Sequence, residues 1–249
     1  MQLNKATWCE VEKYLTANDA IILPVGSTEQ HGPTGLLGTD ALVAEAVAAA
    51  VGEKLQIYVT PTLSVAMAQH HMAFPGSMTL RPQTMIDVLV DWFSSLVKHG
   101  FKKIFIINGH GGNIPAIQAA VSQLHANSSL GGSLDTGNTH IELKNVWDGK
   151  RVPAHISSLF ENRNGDHASA DELSIVKYLF PDDSNHSPPQ GWQWPGEGMR
   201  EFGNCDHYRS LYPDGSIAAD ISLASADAGK ILFDATVEDM ADFCSTFTR

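Results

Sequence analysis

Cysteine is scarce: Cys9, Cys205 and Cys244 are the only three in 249 residues. An odd, scattered set without C-x-x-C spacing excludes a disulfide framework and a zinc ribbon, and reads as reduced thiols of a cytoplasmic protein. Basic residues are also few. Lys and Arg total 16 against 28 Asp and Glu, a formal net charge of −12. A nucleic-acid backbone or an anionic membrane surface needs a positive face, so neither is expected as a partner. No apolar run is long enough to span a membrane. The opening MQLNKATWCEVEKYLTAND has no basic stretch followed by an apolar core, so no secretory leader is expected. Repeats, low-complexity tracts and linker-like stretches are missing as well.

What remains is ordinary for a globular enzyme, with 43% hydrophobic and 18% charged residues. A chain of this length buries a substantial core without metal or disulfide staples. The apolar run Ala20–Ser27 predicts a buried strand. Thr39 and Asp40 then stand at a helix start, before the Ala- and Leu-rich run to Leu55. A second strand is predicted over Ile57–Val65, completing the strand–helix–strand unit of a parallel sheet.

Helix signals resume at Pro82, a favoured first-turn residue, with Met85, Val88, Leu89, Trp92 and Leu96 on one stripe and Gly100 as the stop. A strand over Lys102–Asn108, a Gly-rich turn and a helix from about Ile114 to Leu124 follow. The segment 139–147 returns to the sheet, and helices are predicted over Ala170–Phe180 and Ser225–Phe247. The aromatic, irregular stretch from Pro181 to Ser210 is too long for a connector and reads as a lid or an oligomer contact. The pattern predicts an α/β fold: a single three-layer α/β/α domain spanning 1–249, with a mostly parallel central sheet.

Ligands of such sheets bind at the carboxyl ends of strands, and three polar clusters fall there. The first is Glu29-Gln30-His31-Gly32-Pro33 with Asp40 nine residues beyond His31. Carboxylate and imidazole together suit zinc, manganese or iron. Exposed loop residues followed by a capping Asp40 are the competing account. The second cluster is Asn108-Gly109-His110-Gly111-Gly112-Asn113. It offers either a phosphate cradle or a metal-ligating His110 with room for substrate, and the central histidine favours metal. The third, Gly165 to Glu172, contains His167, but Ser169 and Glu172 also have the spacing of a capping box. Each cluster has a bland explanation alone; together they supply the five or so ligands of a two-metal site.

In order, LPVGSTEQHGP…GTD, IINGHGGN and GDHASADELS resemble the three signatures of the creatininase (creatinine amidohydrolase) family, with shorter matches at FPGSMTL and SLASADAGKILF. The resemblance implies a layered α/β fold and a metal-dependent hydrolase that attacks a linear or cyclic amide, at carbon–nitrogen bonds other than peptide bonds. It implies two divalent ions per chain, with Glu29, His31, Asp40 and His110 as ligands and Asp40 bridging. Creatinine-opening members carry a carboxylate two residues after the equivalent of His110; here Gly112 stands there, and the remaining ligand is assigned to Glu172. His167 is the candidate that protonates the leaving nitrogen, while Ser77, Gly111 and Gly112 are expected at the substrate.

Two further departures are Thr34 in place of a common histidine and Ala168-Ser169-Ala170 after His167. With Gly112, they favour a small-molecule amide other than creatinine. Deformylation of a formamidopyrimidine-type intermediate, a non-catalytic metal or small-ligand binder, and a nucleotide binder using GHGGN are the alternatives. The resemblance also implies a homohexamer.

Adjacent His70 and His71 lie in a predicted loop, where consecutive side chains diverge, so packing is favoured and at most one is expected at the site. Trp147, Trp192 and Trp194 are available to wall a pocket. No role is expected for His125, His140, His155, His186 or His207.

Overall fold

The computed structural model describes residues 1–196 and 198–249. Its elements in chain order are α1 (Trp8–Leu15), β1 (Ala20–Val25), α2 (Thr39–Leu55), β2 (Tyr58–Val59), α3 (Pro82–His99), β3 (Lys103–Asn108), α4 (Ile114–Ser129), β4 (His140–Asn145), α5 (Arg151–Phe160), α6 (Ala170–Leu179), α7 (Cys205–Leu211) and α8 (Ala226–Thr248).

Every strand pair is parallel, and the order across the sheet is β2-β1-β3-β4. The chain runs from β1 to one side, then returns to place β3 on the other. The crevice between β1 and β3 is therefore the topological switch point, where such sheets bind ligands. The register sets Val25 beside Asn108, so both strands end level there.

Alternate residues of β1 and β3 face opposite layers. Ile22, Phe105 and Ile107 pack with Val43, Val47 and Val51 of α2, Ile175 of α6 and Leu232 of α8. Ile21, Leu23, Ile104 and Ile106 pack against Met85, Leu89 and Phe93 of α3 and Ile117 of α4. Fully burying side chains of this size contributes roughly 1.5–3 kcal/mol each. The expected layering and the α/β class are both present, and the sheet is wholly parallel.

The second strand is shorter than expected. It pairs with β1 only at Tyr58 and Val59, because the next donor due from β1 is Pro24, which has no N–H. Backbone contact resumes where Leu63 N donates to Pro24 O. That bond also shows that Pro24's own polar groups face the β2 side, where β2 has already ended. This is how a proline is tolerated within an inner strand.

Candidate metal centre

Glu29, His31 and Asp40 follow β1, and His110 follows β3, so the switch point brings the first two sequence clusters together. Asp40 lies in the first turn of α2, whose N-cap is Gly38 without a side-chain bond. The carboxylate is thus not the cap. A Cβ at Gly109 would meet Asp40 O at 2.3 Å, so only glycine lets the β3 turn lie this close to the start of α2.

Around Asp40 the donors divide into two sets. Asp40 Oδ1 is 2.9 Å from His31 Nε2, and Asp40 Oδ2 is 3.1 Å from His110 Nδ1. Glu29 Oε1 lies 3.2 Å from the same His110 nitrogen. Ser27 Oγ donates to Glu29 Oε2 at 2.7 Å, which turns Oε1 toward the centre. His31 Nδ1 lies 3.2 Å from Glu29 O, orienting Nε2 toward Asp40. Glu29, Asp40 and His110 form one group able to hold an ion; His31, Asp40 and Glu172 form another; Glu29, His31 and His167 form a third. Glu29 Oε1 and Asp40 Oδ2 are buried and face histidine nitrogens at 3.1–3.2 Å without a well-aligned hydrogen bond among the described residues. Buried carboxylate oxygens are costly unless paired, and a cation satisfies them. The donor set therefore fits divalent metal.

The electrostatics divide the histidines in two. Burial disfavours a charged His31, but Asp40 beside it, with Glu172 and Glu29, raises it to about 10. Burial likewise opposes charge on His110, and Glu29 with Asp40 lifts it to about 9. Burial raises Asp40 too, yet His31 and His110 hold it below the ordinary carboxylate range. By contrast, burial pushes His70 down to about 4 and His71 to about 3, and takes His167 well below 6.5. Burial raises Glu172 to about 7, with Asp171 and Asp40 adding to the rise against His31.

Glu172 serves both readings of its motif. Its Oε2 accepts Ser169 N–H at 2.9 Å as an N-terminal cap of α6, while the carboxylate also reaches the His31–Asp40 group. A cavity of about 510 Å³ opens beside these residues, lined among others by Gly111, Gly112, Trp147, His167, Phe202 and Tyr208. Ser77 is not on its wall. The Ser77 hydroxyl accepts Gln30 N–H at 3.1 Å, which ties it to the loop after β1.

The expectation for His70 and His71 is corrected as well. Gln69–His71 is a 3₁₀ turn rather than an extended loop, so consecutive side chains need not point apart. Both histidines line the cavity, and His71 Nε2 is 3.1 Å from Glu29 Oε1. Trp147 walls the cavity, but Trp192 and Trp194 do not. Their indole N–H groups donate to Asp214 and Ala218 O at 2.8 and 2.7 Å, anchoring the irregular segment. That segment contributes Met199, Phe202 and Tyr208 to the cavity. Sequence spacing missed Tyr208, which is fully buried and packs against His70, His71 and His167. It also missed the scaffolding role of Asn113, whose Nδ2 donates to Gly26 O and whose Oδ1 accepts Met67 N–H.

A parallel α/β sheet carries, at its switch point, a buried histidine–carboxylate centre able to hold a metal ion beside a cavity. The sequence model of the creatininase family, described as creatinine amidohydrolase, matches residues 4–244, and the chain belongs to that family. It is 28% identical over 190 residues to a creatinine amidohydrolase of Pseudomonas putida, covering 72% of each chain. It is 31% identical over 169 residues to a mycofactocin precursor peptide peptidase of Mycolicibacterium smegmatis, covering 66% of this chain and 59% of the relative. A solved structure described as "Creatininase Mn" superposes with a TM-score of 0.81 at 24% identity, covering 100% of this chain and 99% of that one. These findings make the chain a creatininase-family hydrolase with residues able to bind metal. Its relatives differ in substrate: besides these two, it is 33% identical over 106 residues to a 3-dehydro-scyllo-inosose hydrolase of Thermotoga maritima, covering 42% of this chain and 34% of the relative.

Proposed function

We propose that this chain hydrolyses a small linear or cyclic amide at a two-metal centre, with zinc, manganese or iron as the ions. The observation that carries this reading is the sharing of Asp40 by two ion-binding groups, Glu29–Asp40–His110 and His31–Asp40–Glu172. One carboxylate facing a histidine through each oxygen is the arrangement a bridging ligand requires. Ions held by these residues would supply an acidified water and would polarise a carbonyl oxygen.

The chain's own groups do the rest. His167 is neutral and borders the cavity, so it can take a proton from the attacking water and return it to the leaving nitrogen. Gly111 and Gly112 leave room for the substrate beside His110. Trp147 and Phe202 offer flat apolar walls to a planar amide.

The cavity wall includes Asp166, Asp171 and Glu172 but, among the described residues, neither lysine nor arginine. That favours a neutral amide over one bearing a carboxylate remote from the metals. Gly112, standing where creatinine-opening members have a carboxylate, favours an amide other than creatinine.

The test is elemental analysis of protein purified without chelator or nickel, beside Asp40→Ala, followed by turnover assays on small amides and formamides. Two transition-metal ions per chain, lost together with turnover in the variant, is the expected result. Full activity in Asp40→Ala, or wild-type protein that stays metal-free after reconstitution, removes the reading.

A further inference from the structure

Gln30 sits between two histidines of the centre, and its amide is oriented by the backbone. Gln30 Oε1 accepts Gly32 N–H at 2.8 Å, which turns the NH₂ group the other way. That nitrogen lies 2.9 Å from His71 Nδ1, 2.9 Å from His167 Nε2 and 3.0 Å from Gly215 O. His167 Nε2 is also 2.9 Å from the Gln30 backbone O.

An NH₂ group has two hydrogens, and a carbonyl oxygen can only accept. If His167 Nε2 carries a proton, it donates to Gln30 O, and the amide donates to both His71 Nδ1 and Gly215 O. Three hydrogen bonds form. If His167 Nε2 is bare, it takes one amide hydrogen and His71 Nδ1 takes the other, Gly215 O keeps only the Tyr208 hydroxyl, and the bond to Gln30 O is lost. Two bonds form. Buried polar groups in a protein interior take the arrangement that leaves fewest unpaired.

We propose that Gln30 is a positioning residue that fixes His71 and His167 in complementary roles: His71 presents an N–H to the centre, and His167 presents a lone pair. With Nδ1 accepting from Gln30, neutral His71 must carry its proton on Nε2, the atom 3.1 Å from Glu29 Oε1. His71 is thereby barred from metal ligation through Nε2 and acts as an electrostatic prop for Glu29. With Nε2 donating to Gln30 O, His167 leaves Nδ1 unprotonated, 3.9 Å from Glu29 Oε1. That nitrogen is ready to accept a proton or to bind an ion. Tyr208 completes the lock, since its hydroxyl donates to the same Gly215 O at 2.7 Å. A residue of the aromatic segment thus fixes the oxygen to which the amide is tied.

The hydrolase reading underlies only the kinetic consequence of this arrangement; the proton positions can be read without any substrate. Long-range ¹H–¹⁵N correlation spectra of full-length protein labelled at histidine nitrogens, metal-free and zinc-loaded, report each tautomer. His71→Gln and His167→Gln assign the signals by their loss. The expected result is a protonated Nε2 on both residues, a bare Nδ1 on His71 in both states, and a bare Nδ1 on His167 in the metal-free state.

Gln30→Glu keeps the shape and removes the donor. It is expected to move the His71 proton to Nδ1, and to lower kcat about 10- to 100-fold with zinc content unchanged. A wild-type His71 protonated at Nδ1, or a Gln30→Glu spectrum identical to wild type, overturns the proposal. Should Gln30→Glu fail to fold, the wild-type spectrum alone decides. Wild-type protein inactive on every amide would count against the hydrolase reading, while the tautomers would still stand or fall on the spectra.

Discussion

Gly112 lies directly against the ring of His110: a Cβ built there would meet Nε2 at 2.4 Å. The same ring turns Nδ1 toward Glu29 and Asp40. The glycine is therefore required by the present pose of a candidate ligand, and the missing carboxylate at this position is coupled to how His110 sits. Gly112→Ala should tilt the imidazole and weaken zinc binding by about 10- to 100-fold. Competition with a chromophoric chelator measures this; an unchanged affinity would show that the ring can retreat without consequence.

Metal uptake should release protons. Without metal, His31 and His110 hold their protons up to about 10 and about 9, so both are cations at neutral pH. An ion that takes their nitrogens must displace those protons, and affinity should rise with pH until both are passed. Titration calorimetry in buffers of different ionisation enthalpy counts the protons. No release at pH 7 would contradict the charge assignment.

The same two groups set the sign for stability of the metal-free protein. Their folded values lie above the ordinary 6.5, so the stabilisation is complete below 6.5 and is lost as pH rises through about 9 and 10. The melting temperature contributed by these groups should fall over that window, and zinc should flatten the fall. Chelated and zinc-loaded samples melted from pH 6 to 10 would reveal it.

Asp239 of α8 caps a helix far from it in sequence. Its Oδ2 accepts the N–H groups of Arg151 at 2.9 Å and Val152 at 3.2 Å, the first residues of α5. Asp239→Ala should cost about 1–2 kcal/mol, or about 2–4 °C in melting temperature for each kcal/mol at this size. A melting curve that superposes on wild type would mean water replaces the cap.

Thiol chemistry should separate the three cysteines. Cys9 is exposed and Cys205 partly so, whereas Cys244 is buried and its thiol is pushed up to about 12 by burial and by Glu142. Alkylation of native protein should mark Cys9 first and Cys244 only after denaturation, as peptide mass mapping would show.

The strands and helices nearest the site were legible because their signals are local. The apolar run of β1, the Ala-rich α2 and the Pro82 start of α3 each carry their own period or cap. Placing Glu29, His31, Asp40 and His110 after strands followed from the same reading, since polar loops gather at strand ends. Glu172 showed that two explanations of one motif need not exclude each other: it caps α6 and reaches Asp40.

What sequence alone determined, then, was the set of elements with self-contained patterns and the residue types a metal centre requires. Tertiary structure decided the rest, because those features depend on partners far along the chain. Helix α5 has no cap of its own and takes one from Asp239, 87 residues beyond Val152. His71 reaches Glu29 only because a 3₁₀ turn packs beneath Tyr208, and the Ser77 hydroxyl meets the N–H of Gln30, 47 residues away in sequence. A hydrogen bond or an ion pair across such separations leaves no periodic trace in the chain; it exists once the sheet has set β1 beside β3.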